Sequence, residues 1–185
     1  MLTIMNQRTE NFDITPDKSI YHKLGESNYS IPDALAELVD NSIDATNEND
    51  VEITIVLDKS KQQIIISDNG KGMDKEMASK SIVWAHSKKH DALGEFGLGM
   101  KSACMSLGGA FHLETTQAGI NEGFSFTYDQ DEFVNQGDWE HFPIEITTSA
   151  NSQQGTVITI IKLKVKLYAK RVTRLQNEMS NRYSP

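Results

Sequence analysis

The chain has 185 residues, of which 38% are hydrophobic and 24% are charged, as is usual for one globular domain. The sequence contains no apolar run of about 18 residues, the length that a transmembrane helix needs, and no basic-then-apolar signal peptide. Cys104 is the single cysteine, which excludes an intrachain disulfide. These features exclude secreted disulfide scaffolds and predict a cytoplasmic protein without a membrane partner.

The net charge of −8 is unevenly distributed along the chain. Residues 162–182 are rich in lysine and arginine, so the remaining body is strongly acidic and is a poor candidate for nonspecific binding to a nucleic-acid backbone. Residues 161–167 alternate apolar side chains with lysines, which favours the solvent face of a strand. Contact between this basic segment and a polyanion is the alternative interpretation.

The first half of the chain predicts an arm, helices and a hairpin. Residues 1–17 are predicted to form an N-terminal arm, and residues 18–28 have helical character. A strong helix is predicted from Ser30 to about residue 46, because Ser30 suits an N-cap and Pro32 suits the first turn. The β-branched segments 51–57 and 62–67 then predict paired strands.

The second half predicts a glycine loop and further helices before a run of strands. The predicted segments are a glycine loop at 68–72, a helix at 74–82, a polar loop at 85–97, a helix at 98–107 ended by Gly108 and Gly109, strands at 110–117, 122–129, 139–148 and 155–167, and a helix at 169–182. This order favours an α+β two-layer sandwich over alternating βαβ units.

The predicted helix at 30–46 has one polar stripe. At 100° per residue, Glu37, Asp40, Asn41 and Asp44 share a face. The opposite half is predicted to be core, and it carries Ile31, Leu35, Leu38, Val39 and Ile43. The stripe contains no lysine or arginine to offset its like charges. It is either a solvated face or a site where a carboxylate activates water and an oxygen one turn away binds Mg²⁺.

Two glycine-containing loops offer nucleotide chemistry, each with a simpler alternative. Asp68–Met73 (DNGKGM) is either a plain turn or a loop whose aspartate accepts a hydrogen bond from an adenine amino group. Gly94–Ser102 (GEFGLGMKS) is either a hinge or a phosphate-binding loop at a helix N-terminus. It is not a P-loop, because Met100 separates the last glycine from Lys101.

Together, Glu37–Ala45, Asp68–Met73, Gly94–Lys101 and Gly155–Thr156 resemble the four ordered motifs of the GHKL ATPases, named for gyrase, chaperones, histidine kinases and MutL. The resemblance covers roughly residues 20–165. The first motif is similar to MutL-like proteins, whereas the Gly94 segment is closer to MORC-like and bacterial MORC-related ATPases, which we favour.

The resemblance implies a Bergerat fold, which is a mixed, mostly antiparallel sheet with helices on one face. It places the ATP-binding domain at 18–168 and a helix leading to a following domain at 169–185. It implies ATP and Mg²⁺ as ligands, with Glu37 as general base, Asn41 as the Mg²⁺ ligand and Asp68 as the adenine acceptor. The further nucleotide contacts that it implies are Gly72, Met73, Gly94, Gly97, Leu98, Gly99, Met100, Lys101 and Thr156, the last supporting Asp68 through water.

The implied function is a Mg²⁺-dependent ATPase whose cycle drives conformational change or dimerisation of a larger protein. Turnover by this chain is expected to be weak, because hydrolysing relatives usually take a γ-phosphate lysine from a following domain. The alternatives are a nucleotide sensor without significant turnover and a protein kinase of the histidine-kinase or anti-sigma kind. Glu37 favours hydrolysis, because histidine kinases lack that base. Expected partners are ATP or ADP, a second copy of the chain, and a protein or DNA in the full-length context.

Overall fold

A computed structural model describes residues 29–46, 52–82, 99–117, 119–120, 122–135, 142–148 and 154–184. The predicted arm at 1–17, the helical stretch at 18–28 and the polar loop at 85–97 lie outside these ranges. The helices are α1 Ile31–Asp44, α2 Lys75–Ile82, α3 Gly99–Leu107, α4 Gln130–Asn135 and α5 Ala169–Tyr183. The strands are β1 Ile53–Asp58, β2 Gln63–Asp68, β3 Gly108–Thr116, β4 Glu122–Asp129, β5 Glu145–Thr148 and β6 Gly155–Leu163.

The strands form one six-stranded sheet in the order β1-β2-β6-β3-β4-β5, and neighbouring strands are antiparallel throughout. Alternate strand residues face a layer of helices, so that α1, α3 and α5 share one apolar core with β2, β3 and β6. Fully buried side chains of this core include Leu35, Leu38, Ile64, Met105, Phe111 and Ile160. The predicted two-layer α+β fold is confirmed.

Helix α1 begins and packs largely as predicted. Ser30 is its N-cap and accepts a hydrogen bond from the amide of Asp33 at 3.3 Å, and a proline lies in the first turn. Ile43, predicted to face the core, is instead 42% exposed. The inward position of this turn belongs to Ser42, because the end of α1 meets the carboxylate of Asp68 rather than an apolar surface.

The helix at 99–107 ends at Leu107 as predicted, but the two glycines after it begin β3. Gly108 lies directly against the backbone of Ile161, where a Cβ would overlap the carbonyl oxygen. A side chain at position 108 would therefore push β3 away from β6.

The C-terminal third of the chain differs from its prediction in three places. β5 covers only residues 145–148, and residues 142–144 before it form no regular element. The short helix α4 was not predicted; the carboxylate of Asp129 accepts the amides of Asp131 and Glu132 at its start. β6 ends at residue 163 rather than 167, and Lys162, next to that end, has a positive φ of 51° that is unusual for a strand residue.

The basic segment remains on the surface, as its alternation predicts. Lys164 and Lys166 are exposed, and the ammonium of Lys162 forms an ion pair with Asp129. Among the residues that the structure describes, no helix has both the length and the apolar character needed to cross a bilayer.

Candidate functional site

The polar stripe of α1 holds Glu37 and Asn41 one turn apart. The amide nitrogen of Asn41 donates to the backbone oxygen of Glu37 at 2.7 Å and to Glu37 Oε1 at 3.2 Å. Both bonds use the nitrogen, so the amide oxygen is the atom of Asn41 that can bind a cation. The same contact fixes the orientation of the Glu37 carboxylate, which is half-buried.

The N-terminus of α3 lies directly against Glu37. A Cβ added to Gly99, the first residue of α3, would overlap Glu37 Oε1. The first turn of a helix has backbone amides without intrahelical partners, and these attract anions. The structure therefore brings the start of α3 and the carboxylate of α1 to one place, which the spacing of the motifs alone could not establish. Gly94, Gly97 and Leu98 lie outside the described residues.

Lys101 occupies a buried position behind the start of α3. Its side chain is 5% exposed, and its ammonium donates to the carbonyl oxygen of Ser81 at 2.7 Å. Ser81 belongs to the last turn of α2, so the lysine joins α2 to α3. Burial lowers the pKa of Lys101 to about 8, because the charged form loses its hydration. In this structure, the ammonium of Lys101, which was predicted to contact phosphate, binds the C-terminal end of α2.

Asp68 joins three elements at the end of β2. Its Oδ2 accepts the hydroxyl of Ser42 at 3.0 Å, and its Oδ1 accepts the amides of Gly70 at 2.9 Å and Thr156 at 3.2 Å. These donors come from α1, from the glycine loop and from β6. Thr156, predicted to support Asp68 through water, reaches it directly through its backbone amide.

The loop after Asp68 contacts both the end of α1 and the end of β3. The amide of Lys71 donates to the carbonyl of Ala45 at 2.9 Å, and Gly72 has φ of +65°. A Cβ on Gly72 would overlap the carbonyl oxygen of Thr116, so both its φ and its surroundings require glycine. Met73, the next residue, is partly buried against the core. The loop thus presents a fixed backbone beside Asp68.

Sequence reasoning missed two residues that support this end of the sheet. Ser42 is 6% exposed and binds Asp68, and its signal was a hydroxyl on the inward side of a helix within the first motif. Thr115 is 3% exposed; its hydroxyl accepts the amide of Met73 at 2.9 Å and lies 3.1 Å from Thr156 Oγ1. No local pattern singled out Thr115, because its role depends on the pairing of β3 with β6.

The residues present fit a magnesium ion held mainly by phosphates. Among the residues that the structure describes, no group of three or more histidine, cysteine or carboxylate side chains is placed to hold a metal. Mg²⁺ is commonly bound through one or two protein oxygens together with nucleotide phosphates and water. The amide oxygen of Asn41, in an acidic stripe beside the N-terminus of α3, matches that limited protein contribution.

The sequence was compared with known proteins and families. Residues 29–160 match the family described as histidine kinase-, DNA gyrase B-, and HSP90-like ATPase. Chaperone protein HtpG of Buchnera aphidicola subsp. Acyrthosiphon pisum (strain APS) is 28% identical over 194 aligned residues, covering 88% of this chain and 30% of HtpG. ATPase morc-1 of Caenorhabditis elegans is 38% identical over 88 residues, covering 47% of this chain and 10% of that protein.

A plant relative shows the same partial overlap. Protein MICRORCHIDIA 3 of Arabidopsis thaliana is 35% identical over 91 residues, covering 45% of this chain and 15% of its own length. The matches therefore span less than a third of each of these relatives. Two of the three carry the MORC or MICRORCHIDIA name, which is consistent with the MORC-like branch that the Gly94 segment indicates.

Proposed function

Because the chain belongs to the histidine kinase-, DNA gyrase B- and HSP90-like ATPases, the GHKL group, we propose that it binds ATP with Mg²⁺ and hydrolyses it to ADP and phosphate. The observation that carries this proposal is the placement of the Glu37 carboxylate against Gly99 at the start of α3. A water-activating carboxylate beside an anion-binding helix N-terminus is the arrangement that hydrolysis of a phosphate chain needs.

In this proposal Asp68 accepts a hydrogen bond from the adenine amino group. An ionised carboxylate offers about four acceptor positions. Ser42, Gly70 and Thr156 use three of them and hold the group still, which leaves capacity for a donor on the ligand. Gly72 and Met73 line the base, because a glycine backbone allows a flat ring to approach closely.

The phosphates and the metal are assigned to the part of the site formed by α1 and the start of α3. Asn41 supplies an oxygen to Mg²⁺, and the start of α3 supplies amides to the phosphates. The phosphate-binding residues in this proposal are Gly94, Gly97, Leu98, Gly99, Met100 and Lys101. The charge on Mg²⁺ also offsets the repulsion among the carboxylates of α1.

The hydrolytic step is assigned to Glu37. Its carboxylate accepts a proton from water as the water oxygen bonds to the γ-phosphorus, while the bond from that phosphorus to the ADP oxygen breaks. The bond from the Asn41 amide to Glu37 Oε1 supports this role, because it fixes the orientation of the carboxylate.

The deciding experiment is phosphate release by wild type and by Glu37→Gln, which preserves the side-chain shape and removes the base. The matched control is Glu52→Gln, an exposed glutamate outside the proposed machinery. We expect Glu37→Gln to lose at least about a hundredfold in turnover while retaining Mg²⁺-ATP binding, and Glu52→Gln to match wild type.

Other outcomes distinguish the alternatives. Equal release from wild type and Glu37→Gln contradicts the base assignment. Binding without Glu37-dependent release indicates a nucleotide sensor. Transfer of labelled phosphate from ATP to a protein, with no free phosphate, indicates a protein kinase.

We propose further that the nucleotide cycle changes the conformation or self-association of a larger protein. The relatives that support this are named as a chaperone and as an ATPase, and both are several times longer than the matched region. The expected result is an ATP-dependent homodimer, measured by light scattering with a non-hydrolysable ATP analogue and with ADP. Binding of a protein or of DNA in the full-length context would follow the same nucleotide dependence.

A further inference from the structure

The C-terminal helix α5 supplies hydrogen-bond donors to two carboxylates of α1, Asp33 and Asp40. α1 carries no lysine or arginine of its own, so its carboxylates lack intrahelical compensation. Helix α5 packs on α1, with Leu175 and Met179 buried between them and the core. At its end, Arg182 Nη1 lies 3.1 Å from Asp33 Oδ1, and Tyr183 Oη lies 2.7 Å from Asp40 Oδ1.

Tyr183 contacts the turn of α1 that carries the catalytic candidates. Besides Asp40, its phenol oxygen lies 3.1 Å from the carbonyl oxygen of Ala36. One hydroxyl proton is thus shared between a backbone oxygen and a carboxylate one turn apart. Glu37 lies in the turn between Ala36 and Asp40, and Asn41 directly follows Asp40.

The phenol is a stable donor for this purpose. Burial and the hydrogen bond to Asp40 raise the pKa of Tyr183 well above its ordinary value, so the group keeps its proton throughout the physiological range. A hydrogen bond to a carboxylate is stronger and more directional than one between neutral groups. The bond therefore restricts both the rotamer of Asp40 and the position of the backbone turn.

We propose that Tyr183 is a positioning residue of the nucleotide site. Its bond to Asp40 holds the turn carrying Glu37 and Asn41 in the orientation required for Mg²⁺ coordination and water activation. The same bond keeps the Asp40 carboxylate from rotating toward the metal position. The inference rests on the proposed function, and it assigns to α5 a direct influence on the chemistry at α1.

The test is Tyr183→Phe, which retains the packed ring and removes only the hydroxyl. The matched control is Arg182→Gln, which removes the neighbouring α5–α1 contact at Asp33, one turn before Glu37 and outside the turn between Ala36 and Asp40. For each variant, kcat and KM for ATP are measured, together with ATP affinity by calorimetry with and without Mg²⁺, and Tm.

We expect Tyr183→Phe to lower kcat by roughly ten- to a hundredfold with little change in KM, because small displacements of a catalytic group are costly. Its Mg²⁺-free affinity should equal that of wild type, while the gain in affinity on adding Mg²⁺ should shrink severalfold. Arg182→Gln should retain the wild-type kcat and the wild-type gain in affinity on adding Mg²⁺. In an Asp40→Asn background, the tyrosine substitution should have little further effect, because the two residues act as one unit.

Several results would overturn the proposal. One is that Tyr183→Phe and Arg182→Gln lower kcat equally and in proportion to Tm, since the tyrosine would then only anchor α5. Another is that Tyr183→Phe leaves both kcat and the Mg²⁺-dependent gain unchanged. If wild type shows no Glu37-dependent turnover, the hydrolytic function fails, whereas the Mg²⁺-dependent affinity of Tyr183→Phe still decides the role of the tyrosine.

Discussion

Gly99 and Glu37 are in direct contact, although 62 positions separate them in the chain. A Cβ on Gly99 would overlap the Glu37 carboxylate and would lie 2.9 Å from its Cδ. The candidate base of α1 therefore occupies the space that a side chain on the first residue of α3 would need. Any side chain at position 99 must displace the carboxylate, the helix, or both.

Gly99→Ala is the most direct test of this contact. We expect phosphate release to fall by more than about tenfold, because the added methyl group moves the base away from the attacking water. Nucleotide affinity should fall less, since Gly99 makes none of the contacts that hold Asp68. The control is Gly109→Ala, whose Cβ would find its nearest neighbour at 3.6 Å, an ordinary contact distance. Equal activity in both variants would show that the base tolerates displacement.

Asp68→Asn isolates the charge and acceptor role of the adenine-site carboxylate. The side-chain oxygen can still accept the amides of Gly70 and Thr156, and the new amide group can donate to Ser42 Oγ, so the local fold should persist. We expect ATP affinity measured by calorimetry to fall by roughly 10- to 100-fold, because a hydrogen bond to a charged acceptor is lost. Asp68→Ala should abolish measurable binding.

The control for this experiment is Asp58→Asn, which alters a carboxylate that accepts hydrogen bonds in the β1–β2 turn. Its ATP affinity should equal that of wild type. Wild-type affinity in Asp68→Asn would instead remove Asp68 from the adenine site.

Gly72→Ala and Gly119→Ala separate backbone strain from steric overlap. Both glycines have positive φ, 65° and 76°, so each alanine should cost about 1–2 kcal/mol from backbone conformation alone. Only Gly72 adds a clash, with the carbonyl of Thr116, whereas Gly119 has nothing within 4 Å of the added Cβ. Urea unfolding should show the larger loss for Gly72→Ala, and only that variant should weaken ATP binding. Equal losses would contradict the close approach at Gly72.

Lys101→Met tests the buried ammonium through the pH dependence of stability. Between about pH 8 and pH 10.5, Lys101 is protonated in the unfolded chain and increasingly neutral in the folded one. The unfolded state then binds more protons, so the lysine's contribution to stability rises with pH across this window. Below pH 8 the charged lysine carries its full desolvation cost. Between about pH 8 and pH 10.5, the free energy of unfolding of wild type, relative to that of Lys101→Met, should rise by on the order of 3 kcal/mol.

The measurement is urea unfolding at intervals from pH 7 to pH 10, with Lys164→Met as the control, because Lys164 is exposed. The difference in the free energy of unfolding between wild type and Lys164→Met should not rise with pH in this range. A constant difference between wild type and Lys101→Met would mean that the lysine keeps an ordinary proton affinity in its buried position.

Local patterns predicted much of the secondary structure. The cap at Ser30 and the apolar positions Leu35, Leu38 and Val39 predicted the start and buried face of α1, and alternation predicted the β1–β2 hairpin. These features depend on residues within a few positions of one another. The prediction was wrong at Ile43, where a distant carboxylate rather than an apolar surface meets the helix.

The sequence by itself determined which chemical groups are present and in what order, from a helix with a base and an amide to two glycine loops. Only the tertiary structure decided which of them meet: Gly99 with Glu37, Ser42 with Asp68, Lys101 with Ser81, and Tyr183 with Asp40. These contacts follow from the antiparallel register of β2, β6 and β3 and from the packing of α3 and α5 on α1. Register and helix packing arise from burying one common core, and no short segment of the chain contains that information.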